Sequence, residues 1–186
     1  MATYDQLTEW AGLGHVRRAG RDIVAGWRIP GFMKAQLVEV GIPVTPRLIE
    51  RVVMQSEADP VLLTSRGPLY RLTDHADPDD QAERSSFGVE PETGAVHFVM
   101  PDREAWFANS GVGVWLNVLH CYGSRVRTSE FLSEPDGPVE DPSEAEEERA
   151  FAELNRLADD LKEIDLAAFK GYQGFLWPGH LDRWLY

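Results

Sequence analysis

Two kinds of hydrophobic repeat follow each other in the middle of the chain. Over residues 95–100, apolar side chains alternate with others at the period of two that is typical of a half-buried strand. Beginning three residues after Asn109, the spacing changes to i, i+3, i+4 and i+7, which gives a helix one apolar face. Asn109 or Ser110 is predicted to cap this helix, because either side chain can accept hydrogen bonds from free N–H groups of the first turn. The pattern therefore predicts a hairpin strand packed on a helix.

Strand-like runs elsewhere predict a larger sheet. The predicted strands lie near Val16, Val61, Leu69, Phe87 and Val96. We expect an α+β fold in which a mixed, largely antiparallel sheet of about five to six strands is flanked by helices. The segment Arg47–Met54 fits a helix or a strand, because a short apolar run does not settle the period. The segment Asp74–Arg84 is predicted to be a polar loop.

Three further helices are predicted from their boundaries. Thr3–Gly12 and Pro30–Val40 each end at or before a glycine, which is typical of a helix C-terminus. A long helix begins after Ser143, where Ser143 and Glu146 have the spacing of a capping box. Its predicted apolar stripe consists of Phe151, Leu154, Ala158 and Leu161.

Length and cysteine content limit the organisation of the protein. The 186 residues predict a single domain over residues 1–186, with an acidic loop or insertion at about 130–148. Aromatic residues are dense after Leu166 and predict a C-terminal element docked on the body. One cysteine, Cys121, allows no intramolecular disulfide, and the N-terminus has no signal-peptide pattern. We therefore expect a cytoplasmic protein.

The formal net charge of −13 excludes some partners and favours others. A chain this acidic should repel nucleic-acid phosphates and anionic membranes, so neither is expected as a direct partner. A basic protein is favoured, because opposite charge speeds its capture. Solubility alone also accounts for an acidic surface.

One acidic segment offers candidate chemistry around His75. Four carboxylates surround this histidine, namely Asp74, Asp77, Asp79 and Asp80. A calcium loop needs alternating oxygen ligands and a glycine at the turn; Asp77 and Asp79 alternate, but no glycine follows. An acid–base pair of His75 with a carboxylate is a second hypothesis. A solvated loop is favoured over both, because turn chemistry alone accounts for the composition.

No other motif in the chain indicates catalysis. His120 and Cys121 are adjacent, so on a helix their side chains point about 100° apart, which does not suit a thiolate–imidazole pair. The chain has no GxSxG elbow, P-loop or dinucleotide fingerprint. We therefore expect no catalytic residue, no metal and no cofactor.

Four sequence segments together resemble the SUKH superfamily of bacterial toxin-immunity proteins, in the form found in filamentous actinobacteria. They are Gly88–Val96 with its turn, the Phe107–Ser110 helix entry, Phe32–Pro43, and Ile164–Phe169 followed by Trp177. The resemblance covers most of the chain from about Ile29 onward. The chain departs from it at Gly111 and in the longer acidic stretch at 130–148.

The resemblance implies an immunity protein that binds and neutralises a cognate polymorphic toxin domain by occlusion, without catalysis. The toxin is expected to be basic, and its activity, as a nuclease, a deaminase or otherwise, stays open. Acidic side chains are the candidate partner-binding residues: Asp74, Asp77, Asp79, Asp80, Glu83, Asp136, Glu140, Asp141 and Glu144.

Two alternatives come from other functional classes. One is a small enzyme or metal-dependent protein that uses the loop containing His75, Asp77, Asp79 and Asp80. The other is a regulatory module that binds an unrelated protein or a small molecule.

Overall fold

An antiparallel sheet in the middle of the chain organises the fold. The computed structural model describes residues 1–45, 48–54, 61–77, 80–130, 132 and 143–182, without the side chains of 75–77, 80–84 and 144. The helices of this part are α1 Tyr4–Ala11, α2 Arg21–Ala25, α3 Gly31–Glu39, α4 Val112–Thr128, α5 Glu144–Ile164 and α6 Leu176–Asp182. The strands are β1 Val16–Arg17, β2 Ile42–Pro43, β3 Arg51–Val52, β4 Leu62–Thr64, β5 Gly67–Arg71, β6 Thr73–Asp77, β7 Asp80–Val89, β8 Val96–Val99 and β9 Ala105–Asn109.

The long strand β7 is the centre of this sheet. One of its edges pairs first with β6 and then with β5, and its other edge pairs with β8, which pairs with β9. Strands β5 and β6 are one run interrupted at Leu72. There the Leu72 N–H donates to the Phe87 carbonyl at 2.8 Å, and the Thr73 hydroxyl accepts from the Phe87 N–H at 3.0 Å. The Thr73 hydroxyl thus supplies one hydrogen bond at the point where the regular ladder of main-chain hydrogen bonds is interrupted.

The predicted fold class is confirmed. Every strand pair within the described residues is antiparallel, and helices flank the sheet. Seven strands of this part form one network, slightly more than the five to six predicted, because β5 and β6 count separately. A separate two-stranded sheet joins β1 to β2.

The prediction of a polar loop over Asp74–Arg84 was wrong. Its described backbone forms most of β6 and the first half of β7, with His75 opposite Ser85 and Ala76 opposite Arg84. The buried stretch Ser86–Val89 belongs to the same strand, β7. The antiparallel pairing of β6 with β7 continues the ladder of main-chain hydrogen bonds from this stretch toward the surface. Main-chain hydrogen bonds to a partner strand therefore override the local preference of aspartate for turns.

The main core lies between the sheet and α4. Trp115 is fully buried, and its ring centroid lies 5.1 Å from that of Phe87, whose centroid is also 5.1 Å from Phe98. Two glycines let other helices approach α4 closely. A Cβ at Gly113 would lie 2.4 Å from the Gln36 side chain, and one at Gly123 would lie 2.3 Å from the Trp10 ring.

The predicted helices are present, but one of the predicted caps was wrong. The helices expected at Thr3–Gly12, Pro30–Val40 and after Ser143 correspond to α1, α3 and α5. The capping box at the start of α5 is confirmed: the Glu146 carboxylate accepts from the Ser143 N–H at 2.8 Å. Asn109, however, is the last residue of β9, and α4 begins after Gly111 without a side-chain cap.

The C-terminal segment is docked on the sheet through its described residues. Trp177 on α6 is fully buried, and Leu176 and Leu181 are nearly so. The Phe107 N–H of β9 donates to the Gly174 carbonyl at 2.8 Å, so the segment before α6 lies along the outer edge of β9. The sequence of Arg47–Met54 fitted either a helix or a strand. In the structure, the described residues 48–54 form no helix and contain β3.

Candidate partner-binding surface

Among the nine candidate acids, Asp74 is the one whose side chain the structure describes. It is 2% exposed. Its carboxylate lies 2.7 Å from the Arg51 guanidinium and 3.5 Å from that of Arg71, and it accepts from the Ser86 hydroxyl at 3.3 Å. Two arginines of the same chain therefore enclose Asp74. Through these contacts, Asp74 on β6 is bonded to residues of β3, β5 and β7.

Three other candidates lie on the backbone of the β6–β7 hairpin. Asp77 and Asp80 are register partners at its end, and Glu83 follows on β7. Glu144 is the first residue of α5. The remaining candidates, Asp79, Asp136, Glu140 and Asp141, lie outside the described residues. For these eight acids, a role in partner binding stays a prediction.

His120 and Cys121, which are both partly buried on α4, form no nucleophilic pair. The His120 Nδ1 accepts from the Trp10 Nε1–H at 3.1 Å, and burial lowers the pKa of this histidine. Burial, together with the neighbouring Asp160 carboxylate, raises the pKa of the Cys121 thiol. A neutral thiol beside an engaged imidazole is typical of packing.

His97 on β8 is buried in an apolar setting. It is 3% exposed, and its ring meets that of Phe107 edge to face at a centroid distance of 5.7 Å. Neither ring nitrogen has a hydrogen-bond partner among the described residues. Burial lowers the pKa of His97, an effect that the Glu90 carboxylate opposes and the Arg66 guanidinium reinforces.

Asn109, Asp165 and Trp177, which carry much of the sequence resemblance, meet in one buried cluster. The Asn109 Nδ2 donates to Asp165 Oδ2 at 3.0 Å, and the Asn109 Oδ1 accepts from the Trp177 Nε1–H at 3.1 Å. Asp165 also accepts from the backbone N–H groups of Ser110 and Ala167, at 2.8 and 3.2 Å. These residues join β9 to the C-terminal segment, so their role in this structure is to hold the fold.

The first half of α5 extends beyond the body of the protein. No described side chain from residue 145 to residue 153 is buried, and Leu154 is the first buried residue of the helix. We name residues 144–153 the α5 overhang. Phe151 lies within it and is 52% exposed, so its predicted place in the apolar stripe was wrong. The face that packs on the core consists of Leu154, Leu157 and Leu161.

A cavity of about 480 Å³ opens beside α1 and α4. Most of its lining is apolar, including Trp10, Val44, Ile49 and Val126, and the polar side chains beside it belong to His15, Thr45, Glu50 and Arg127. This composition suits an apolar group. Among the described residues, no three His, Cys, Asp or Glu side chains are placed to hold a metal ion.

The family of the chain follows from a comparison over nearly its whole length. Residues 2–183 match the family model described as SUKH-4 immunity protein. The chain belongs to the SUKH-4 immunity protein family. Neither the curated proteins nor the solved structures gave a match.

The family match extends the resemblance found in the sequence. It confirms membership of the SUKH superfamily, and it begins at residue 2, whereas the sequence segments indicated a resemblance from about Ile29 onward. The acidic stretch at 130–148 lies between the two ends of this match. No helix in the described part of this SUKH-4 protein is long and apolar enough to cross a bilayer.

The exposure of Phe151 was missed at the level of sequence, although a signal for it existed. Leu154, Leu157, Leu161 and Ile164 recur at spacings of three, four and three, which defines a complete apolar face. Phe151 lies at the border of that face and nearer to the N-terminus. This repeat, taken alone, predicts that the ring of Phe151 lies outside the core.

Proposed function

We propose that this SUKH-4 protein neutralises a toxin domain by forming a stoichiometric complex that covers the working surface of the toxin, without a chemical step. The observation that carries the proposal is the match to an immunity protein family over residues 2–183. An immunity role requires a protein partner, and a buried interface is sufficient to block a toxin.

The charge of the chain indicates the chemistry of this partner. The sequence has 31 acidic residues against 18 Lys and Arg. Opposite charge accelerates the encounter of two proteins and disfavours partners of like charge. We infer that the toxin domain is basic at the covered surface, as is typical of proteins that act on nucleic acids. The candidate acids Asp77, Asp79, Asp80, Glu83, Asp136, Glu140, Asp141 and Glu144 belong to this proposal.

Co-expression tests the immunity role. Cells that make the toxin domain encoded beside the gene of this chain should die, and cells that make both proteins should survive. The two proteins should also co-purify at equal stoichiometry. Death of cells that contain soluble, folded SUKH-4 protein, with no complex recovered, would contradict the proposal for that toxin.

A titration separates occlusion from enzymatic inactivation. In an assay of the purified toxin activity, inhibition by occlusion should rise linearly and be complete at one equivalent of the SUKH-4 protein. Complete inhibition by a small fraction of an equivalent, increasing with time, would instead show turnover and favour an enzyme.

A further inference from the structure

The α5 overhang combines a large exposed apolar side chain with an excess of acid. Residues 144–153 contain five glutamates and one arginine. Phe151 is more than half exposed among them. Phe32, another exposed apolar residue, has no acidic residue within five positions along the chain and a lysine two positions away.

Helical geometry brings the aromatic ring and two carboxylates onto one surface. Glu147 and Glu148 precede Phe151 by four and three residues, the spacings at which side chains on a helix are neighbours. Both glutamates are exposed, and no described residue forms an ion pair with either. The overhang therefore presents an apolar centre with an acidic border.

Hydrogen bonds order both ends of the overhang. At its start, the Glu146 carboxylate accepts from the N–H and the hydroxyl of Ser143, at 2.8 and 2.6 Å. At its end, the Ser129 hydroxyl donates to Glu153 Oε2 at 2.8 Å, which links α5 to the end of α4. A surface that is ordered before binding loses less conformational entropy on binding.

We propose that the α5 overhang is the docking surface for a basic face of the toxin domain, with Phe151 as its desolvated anchor and Glu147 and Glu148 as its charged border. This inference rests on the proposed function. Aromatic anchors surrounded by polar groups carry most of the binding energy in protein interfaces. The charge of the border selects a partner with Lys or Arg side chains placed around a pocket for the ring.

A second copy of the chain is a poorer occupant of this surface. Two overhangs would bring ten glutamates together, and each chain carries a net charge of −13. Repulsion between like charges opposes such a contact. The molecular mass in solution, measured by analytical ultracentrifugation with and without Phe151→Ala, tests this alternative directly.

Binding of an inactivated form of the adjacent toxin domain, measured by calorimetry, tests the proposal. Phe151→Ala should raise the Kd by about thirtyfold, the loss typical of an interface anchor. The double variant Glu147→Gln with Glu148→Gln should weaken binding at low salt and reduce its salt dependence. All three positions are exposed, so the melting temperatures of the variants should equal that of the wild type.

Matched controls lie elsewhere on the surface. Leu166→Ala removes an exposed apolar side chain, and Glu163→Gln removes an exposed acid at the other end of α5. Both should leave the Kd within twofold of the wild type.

If the wild type binds and Phe151→Ala binds equally well, the docking surface lies elsewhere and the inference is overturned. If the wild type forms no complex, the proposed function fails, and the inference fails with it. If Phe151→Ala converts a dimer into a monomer, the overhang is a self-contact and the inference is overturned.

Discussion

A buried amide explains why Asn109 belongs to a recognisable sequence motif. Its side chain donates to Asp165 and accepts from Trp177, so both of its functional groups have a partner inside the protein. Buried polar groups need such partners, since an unpaired donor or acceptor costs about 1–3 kcal/mol. The motif residues thus specify how β9 meets the C-terminal segment, and they identify the fold without revealing the partner.

Asn109→Ala should lower the free energy of unfolding by about 2–4 kcal/mol. The change leaves the Trp177 N–H and an Asp165 oxygen buried with one hydrogen bond fewer each. Urea denaturation followed by tryptophan fluorescence measures the effect. Asn155→Ala, at an exposed position of α5, is the control and should change stability by less than about 0.5 kcal/mol. A loss as small as that of the control would contradict a structural role for Asn109.

Protonation of His97 should destabilise the protein in mild acid. Burial lowers its pKa in the folded state, whereas an unfolded histidine titrates near 6.5. Well above pH 6.5 the residue is neutral in both states; as the pH falls through about 6.5, the unfolded chain binds a proton that the folded protein excludes. The free energy of unfolding should therefore decrease as the pH falls below about 6.5.

Urea titrations between pH 7.5 and 5 measure this dependence. His97→Phe should flatten the curve, because the variant has no group to protonate at this site. His120 has its pKa lowered in the same direction, so part of the slope should remain. An unchanged slope in His97→Phe would show that the acid sensitivity comes from elsewhere.

The secondary structure elements differ in how well their sequence predicts them. The helices α1, α3, α4 and α5 follow from apolar spacing and from glycine or capping residues, which act within a few positions of each other. Strands β6 and β9 and the polar half of β7 were missed. Their pairing partners, not their own composition, determine their structure, as is typical of β-strands.

The candidate site was predictable in its charge but not in its geometry. Composition indicated an acidic surface for a basic partner, yet it gave no means to tell an exposed acid from an enclosed one. Asp74 is enclosed because Arg51 and Arg71, on two other strands, converge on its carboxylate. Phe151 is exposed because α5 extends past the body, which depends on the packing of the whole helix.

Ser143→Ala should loosen the overhang without unfolding the rest of α5. The variant loses the hydroxyl bond to Glu146, and loss of an N-cap serine costs about 1 kcal/mol. Hydrogen exchange should become faster for the amides of residues 146–150 and should be unchanged for residues 157–161, which pack on the core. The side chain of Ser110 has no capping role, so Ser110→Ala should leave both regions unchanged. Faster exchange throughout α5 would show that the overhang and the packed half unfold together.

At the scale of the whole molecule, the net charge of −13 acts over distances longer than any single contact. At physiological ionic strength, the field of exposed charges extends about 8 Å from the surface, and it weakens as salt is added. Long-range attraction raises the rate of encounter, while the lifetime of a complex depends on its packed interface. A basic toxin should therefore be captured rapidly by a surface that then holds it through local contacts.

Association with the toxin domain should slow by at least tenfold between 50 and 500 mM NaCl, while the dissociation rate changes little. Surface plasmon resonance with the wild-type pair measures both rates. The melting temperature of the SUKH-4 protein over the same salt range is the control, and it should exclude salt-induced unfolding as the cause. An association rate that is independent of salt would contradict electrostatic capture.

The cluster around Asn109 has a consequence for protein synthesis. Its partners Asp165 and Trp177 follow it by 56 and 68 residues, so the cluster cannot form until both have left the ribosome. Until then, the Phe107 N–H at the outer edge of β9 is unpaired, because Gly174 has not arrived to accept its hydrogen bond. We therefore expect folding to finish only after residue 177 has emerged. Under the proposed function, a newly made chain can therefore neutralise a toxin only after that point.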